Sequence, residues 1–92
     1  MPKLQVGQLV ISSQGRDAGR FYLVIEILDD GFVKVSDGSY RPLSKPKIKN
    51  IRHLRRFNHK ASNKVAQKLT LKKASDREVI KELNDLTKQI GS

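Results

Sequence analysis

Residues Phe21–Val35, FYLVIEILDDGFVKV, decide how the chain folds. Phe21, Leu23, Ile25 and Ile27 alternate with Tyr22, Val24, Glu26 and Leu28, a period of two that an extended strand turns into two faces. We expect the Phe21 face to be the core. The Tyr22 face, which mixes Glu26 with apolar groups, is expected on the partly covered outside of a small barrel. Asp29, Asp30 and Gly31 then form a tight turn, because Asp tolerates the left-handed backbone region and Gly enters it without a Cβ clash. Phe32–Val35 returns as the partner strand, so the stretch reads as a β-hairpin.

Upstream, Gln8–Ser13 (QLVISS) makes another strand, with Leu9 and Ile11 on one face. Downstream, Asp37 and Gly38 repeat the turn chemistry before Ser39–Leu43, and Pro42 and Pro46 remove backbone donors, which favours an edge or an extended surface segment. A last short strand is expected around Asn50–Arg55. Short strands this closely spaced favour a closed antiparallel barrel over a sandwich, since closure removes exposed edges. The expected fold is therefore mainly β: a small SH3-like antiparallel β-barrel over residues 1–57, followed by a C-terminal α-helical extension. Residues 58–73 read as a basic linker containing a short helix over 62–69. Residues 74–91 read as an amphipathic helix: Ser75 and Glu78 make a capping box, Val79, Ile80, Leu83, Leu86 and Ile90 recur at helical spacing, and Gly91 is a natural stop.

A chain of 92 residues encloses one hydrophobic core and leaves little room for a buried substrate cavity. Its 19 Lys and Arg against 9 Asp and Glu, a net charge of +10, exceed what solubility requires and point to a polyanionic partner such as nucleic acid. The absence of cysteine excludes disulfides and thiolate metal sites, and the isolated His53 and His59 do not make a metal centre. No apolar run approaches the roughly 20 residues that span a bilayer. We expect a soluble, cytoplasmic protein with no cofactor, no small-molecule substrate and no membrane partner.

The charge is sorted along the chain. Between Asp37 and Asp76 no acidic residue occurs, and the interval holds Arg41, Lys45, Lys47, Lys49, Arg52, Arg55, Arg56, Lys60, Lys64, Lys68, Lys72 and Lys73. In an extended backbone Lys45, Lys47 and Lys49 would project to one side about 6 to 7 Å apart, a spacing comparable with successive phosphates of one strand. Ile48, Ile51 and Leu54 are expected to tie this basic segment to the core, which separates it from a merely solvated charge run. His53, among arginines, suits an RNA contact or a packed role.

A second cationic feature is the loop GRDAGRF, Gly15–Phe21. Gly15 and Gly19 can take positive φ, Arg16 and Arg20 offer planar guanidinium forks to phosphates or base edges, and Asp17 is expected to brace the turn. Tyr40 and Phe57 flank the basic segment and serve either as packing or as ring faces for unpaired bases. No Gly-rich phosphate loop with its lysine, no nucleophile elbow and no paired carboxylates occur, so no catalytic residue is assigned.

Gly7, Leu9, Val10, Ile11, Ser12, Gly15, Arg16, Asp17, Gly19, Phe21 and Val24 together resemble a KOW motif, which belongs to SH3-like barrels of ribosomal proteins and NusG-type transcription factors. The continuation SDGSYRPLSKPKIKNIRHL, residues 36–54, resembles the large-subunit ribosomal protein fourteen-e group of eukaryotes and archaea and small bacterial KOW proteins similar to it. The resemblance implies an RNA-binding barrel with contact regions at Gly15–Gly19 and Arg41–Asn50. Tyr22 stands where many KOW motifs carry a second glycine, so backbone contacts made there do not transfer.

From these readings we expect a non-catalytic protein that binds ribosomal or other structured RNA through phosphate contacts, with ribosomal proteins as further neighbours. The contact residues would be Arg16, Arg20, Arg41, Lys45, Lys47, Lys49, Arg52, His53, Arg55 and Arg56. The rival reading is a transcription-associated or protein-interaction KOW module that docks a partner through the C-terminal helix. Exposure of Val79, Leu83 and Leu86 in the monomer would favour it.

Overall fold

The computed structural model describes residues 3–91. Five strands come first: β1 (Gln8–Ser12), β2 (Phe21–Ile27), β3 (Phe32–Ser36), β4 (Lys47–Asn50) and β5 (Leu54–Lys60). Two helices follow, α1 (Asn63–Thr70) and α2 (Asp76–Gly91). Each paired neighbour in the sheet order β4-β3-β2-β1-β5 is antiparallel. Strands β4 and β5 lie at opposite edges of this order, yet only a short 3₁₀ turn, Ile51–His53, separates them along the chain. The sheet must therefore curl. The Ser13 amide donates to the His53 carbonyl at 2.9 Å and the Ile51 amide to the Gly31 carbonyl at 2.9 Å, which closes an SH3-like barrel.

The hairpin forms as expected, with Asp30 at φ 63° and Gly31 at φ 79° in its turn. Its faces are assigned the other way round. Tyr22 and Val24, fully buried, line the barrel interior with Val10, Val33 and Val35. Leu23 lies on the outside, where Leu9 and the helices cover it, and Phe21 and Ile25 pack against that second cluster. Both faces of β2 are thus apolar cores, and period two alone does not say which is inside. Ile27 is 48% exposed instead of completing the stripe, because a register shift between Val24 and Glu26 inserts a residue into β2. Such a bulge exchanges the faces of everything after it.

The expected strand around Asn50–Arg55 is instead a boundary: β4 ends at Asn50, the 3₁₀ turn intervenes, and β5 continues to Lys60, past residue 57. Helix α1 is capped by the Ser62 hydroxyl, which accepts from the Val65 amide at 3.4 Å. The capping box at α2 is present, with the Glu78 amide donating to Ser75 Oγ at 3.2 Å and the Ser75 amide to Glu78 Oε1 at 3.0 Å. Val79, Leu83 and Leu86 are buried with Leu9, Leu23, Val65 and Leu69. At about 1.5–3 kcal/mol per buried aliphatic side chain, this stripe holds α2 on its own barrel by several kcal/mol at most. The Leu43 amide donates to Asp76 Oδ1 at 2.8 Å, which ties α2 to the barrel, and Lys68 pairs with Glu78 at 2.8 Å, which ties α2 to α1. The helical stripe that was to identify the rival reading is covered by the protein itself.

Candidate nucleic-acid interface

The loop joining β1 to β2 is built around its backbone. Gly15 and Gly19 take φ of 90° and 91°, as expected. Gly19 donates to the Ser12 carbonyl at 2.8 Å, the Ser12 amide to the Arg20 carbonyl at 3.0 Å, and the Arg20 amide to the Asp17 carbonyl at 2.9 Å. Inside this frame Asp17 is buried. Its Oδ1 accepts from Ser12 Oγ at 2.9 Å and from Lys49 Nζ at 3.0 Å, and its Oδ2 accepts from the Tyr22 hydroxyl at 2.7 Å. Lys47 Nζ lies 3.5 Å from Oδ2. Burial by itself raises the Asp17 pKa, but the bonds from Tyr22, Lys49 and Ser12, with the Lys49 charge, outweigh it and hold the carboxyl well below the ordinary carboxylate range. Burial, then the bond to that carboxylate and its charge, push the Tyr22 phenol above its ordinary value. Asp17 braces this turn, and its partners are a tyrosine, a serine and two lysines.

The lysine row is a correction. Lys47 stands opposite Val35 and Lys49 opposite Val33. Directly opposed residues share a face, and Val33 and Val35 line the barrel interior. Lys47 and Lys49 therefore turn inward to Asp17, and Lys49, 6% exposed, also donates to the Gln14 carbonyl at 3.1 Å. Ile48 points the opposite way and is 56% exposed, and Ile51 is exposed too, so neither anchors the segment as expected. Of the apolar residues named for that role only Leu54 packs on the inner core. Lys45 precedes β4, in a turn where its amide donates to the Pro42 carbonyl at 2.9 Å, and its side chain is exposed.

Arg20 is held from two sides. Its guanidinium pairs with Asp37 at 3.3 Å and sits 4.2 Å from the centre of the Tyr40 ring. Arg41 lies 5.6 Å from the same ring. Asp37 also accepts from the Ser39 and Arg41 amides, at 3.0 and 2.7 Å, so one carboxylate shapes the loop after β3 and fixes an arginine of the loop after β1. Asp37 was read only as a turn residue and Tyr40 as packing or a ring face for bases, and neither was matched with Arg20; the only signal was the Asx-turn pattern of Asp37 with Ser39 two residues on. Phe57 packs on Phe21, with ring centres 5.9 Å apart, and is not a free platform.

The remaining assigned residues divide by exposure. Arg16, Arg52, Arg55 and Arg56 are exposed, while Arg41 and His53 are half-buried. The Ser13–His53 backbone bond brings the start of the GRDAGRF loop beside the 3₁₀ turn that carries Arg52. Arg55 and Arg56 stand opposite Ile11 and Val10 on the neighbouring strand. The loop that carries Arg16 and Arg20 thus meets Tyr40 of the loop after β3 and, through the Ser13–His53 bond, adjoins the 3₁₀ turn, whose Arg52 lines a depression with Asp29, Asp30 and Arg56. Among the described residues no cluster of His, Cys, Asp and Glu is grouped to hold a metal, and no helix is long and apolar enough to cross a membrane.

No family model matches the chain. Individual relatives do. Large ribosomal subunit protein eL14 of the archaeon Hyperthermus butylicus is 33% identical over 85 residues, which cover 92% of this chain and 80% of that protein. The eL14 proteins of Desulfurococcus amylolyticus and Saccharolobus solfataricus are 32% and 33% identical, again over 92% of this chain and 81% of their own lengths. The alignments run through the barrel and into the helices, well beyond the stretch that carries the KOW resemblance. Similarity of that extent, joined to the SH3-like barrel and the glycine-framed loop, means that the chain belongs to the eL14 family of large ribosomal subunit proteins.

Proposed function

We propose that this protein is a non-catalytic, RNA-binding component of a large ribosomal subunit in the cytoplasm, holding structured ribosomal RNA through phosphate contacts and lying against neighbouring ribosomal proteins. The observation that carries the reading is the sorting of charge in three dimensions. Asp17 and Asp37, in the loops that carry Arg16, Arg20 and Arg41, are consumed by internal bonds, while Arg16, Lys45 and Arg55 face solvent; Arg52 and Arg56 are exposed too, in a depression they share with Asp29 and Asp30. A surface of that sign attracts a polyanion and releases its counterions on contact. The names of the relatives supply the ribosomal setting. Arg20, Arg41 and His53 belong to the proposed surface as residues partly engaged by the protein itself. Lys47 belongs only at its rim, and Lys49 acts from beneath it by shaping the loop.

The test is a binding titration against a large-subunit ribosomal RNA fragment over a series of salt concentrations, with duplex DNA of equal length as competitor. The logarithm of affinity should fall linearly with the logarithm of salt. Arg16→Ala should reduce the slope by up to about 0.9, the release expected for one phosphate contact, without changing the thermal midpoint. Equal affinity for duplex DNA would remove the basis for RNA recognition.

A further inference from the structure

We infer that the Arg20–Tyr40 stack is a seat for an unpaired RNA base, a reading that rests on the RNA binding proposed above and adds a base contact to it. Tyr40 is 60% exposed, yet the backbone on both sides of it is hydrogen-bonded. Asp37 Oδ1 accepts the amides on either side of it, Ser39 at 3.0 Å and Arg41 at 2.7 Å. Ser36 Oγ donates to the Arg41 carbonyl at 2.7 Å and accepts the Gly38 amide at 3.1 Å. The loop is thus fixed around an aromatic ring that it does not bury, where a ring needed for packing would have been turned inward.

Arg20 completes the seat. Its guanidinium lies over the ring at 4.2 Å and is anchored by Asp37 at 3.3 Å, with Arg41 further off at 5.6 Å, so the cation covers one ring face and a base would stack on the outer side of that guanidinium or on the exposed part of the ring. Aromatic rings and guanidinium planes both stack on nucleobases, which every unpaired base accepts because every base has a π-face. A paired base within an RNA duplex keeps its faces covered by its neighbours. The seat therefore selects loops, bulges or flipped-out residues, whereas the surrounding arginines contact phosphates of any strand.

The stack can be tested separately from phosphate binding. The probes are a stem-loop RNA with an unpaired adenosine loop, the same RNA with abasic positions in the loop, and the stem as a blunt duplex. Tyr40→Ala should weaken binding to the adenosine loop by roughly 5- to 100-fold, the usual effect of removing a stacking aromatic, and change binding to the other two by less than about twofold. Tyr40→Phe, which keeps the ring, should bind all three like the parent. A direct readout is available: the chain has no tryptophan and its other tyrosine, Tyr22, is buried, so quenching of tyrosine emission on binding reports Tyr40. Unchanged adenosine-loop affinity in Tyr40→Ala, or an equal loss on all three RNAs, overturns the stack while leaving phosphate binding intact. Failure of the parent to bind any of the RNAs overturns both readings.

Discussion

Replacing Lys49 by methionine separates a lysine that contacts RNA from one that holds the protein together. Methionine retains the apolar stem and removes the charge, so the loss reports the ammonium group. At 3.0 Å from Asp17, two unit charges attract by about 5 kcal/mol at an effective dielectric constant near 20, before the desolvation of both groups is subtracted. Removing one member of a buried pair typically costs about 3–5 kcal/mol, because the other is left buried and uncompensated. Here Tyr22, Ser12 and Lys47 still reach the carboxylate. We therefore expect a loss of about 2–3 kcal/mol, at or just below the lower limit of that range. In a domain of this size it lowers the thermal midpoint by roughly 10–20 °C, measured by circular dichroism. Asp17→Asn combined with Lys49→Met should lose less than the sum of the two single changes, since both remove the same bond. RNA affinity of the folded fraction should keep its salt slope. A stability change below about 0.5 kcal/mol together with a flatter salt slope would refute the inward assignment of Lys49.

Acid stability tests the same network from the carboxylate side. The folded-state pKa of Asp17 lies below that of the unfolded chain, so its contribution is complete above the unfolded value, about 4, and is lost as pH falls below it. Urea midpoints should drop below pH 4, and Asp17→Asn, less stable at neutral pH, should show a smaller drop. Gly38→Ala should destabilise by more than about 2 kcal/mol, because φ is 76° and a Cβ there would lie 2.6 Å from the Asp76 carbonyl oxygen, against the first turn of α2. Gly19→Ala, with similar φ but open space around it, should cost only about 1 kcal/mol; equal losses at the two sites would contradict the tight packing of Gly38 on α2. Lys72 closes α1 with φ of 59°, its amide donating to the Leu69 carbonyl, so Lys72→Gly should raise stability by about 1 kcal/mol in thermal melts.

Much of the fold was legible because the signals are local. Asp29-Asp30-Gly31 makes a turn from its own backbone preferences, and Ser75 with Glu78 starts a helix by bonding to amides within one turn. Gly15 and Gly19 likewise announce positive φ without reference to anything distant. The candidate surface was legible as a quantity of charge, since no acidic residue interrupts the run from Asp37 to Asp76. Its composition was not, because whether a lysine projects outward depends on the strand it pairs with.

By itself, the amino-acid sequence determined the first three strands, their turns, the terminal helix and the excess and order of positive charge, each a property of residues within a few positions of one another, whereas the bounds of β4 and β5 came from pairing. Only the tertiary structure decided which side of each strand faces the interior. β2 is apolar on both faces, and the helices cover the one that alternation marked as the core. The same choice sent Lys47 and Lys49 in to Asp17, left Ile48 in solvent, and set Arg20 on Tyr40. A barrel has two surfaces and a period of two labels them without ordering them; closure, register shifts in two strand pairings and the docked helices supply the order, and all three are long-range.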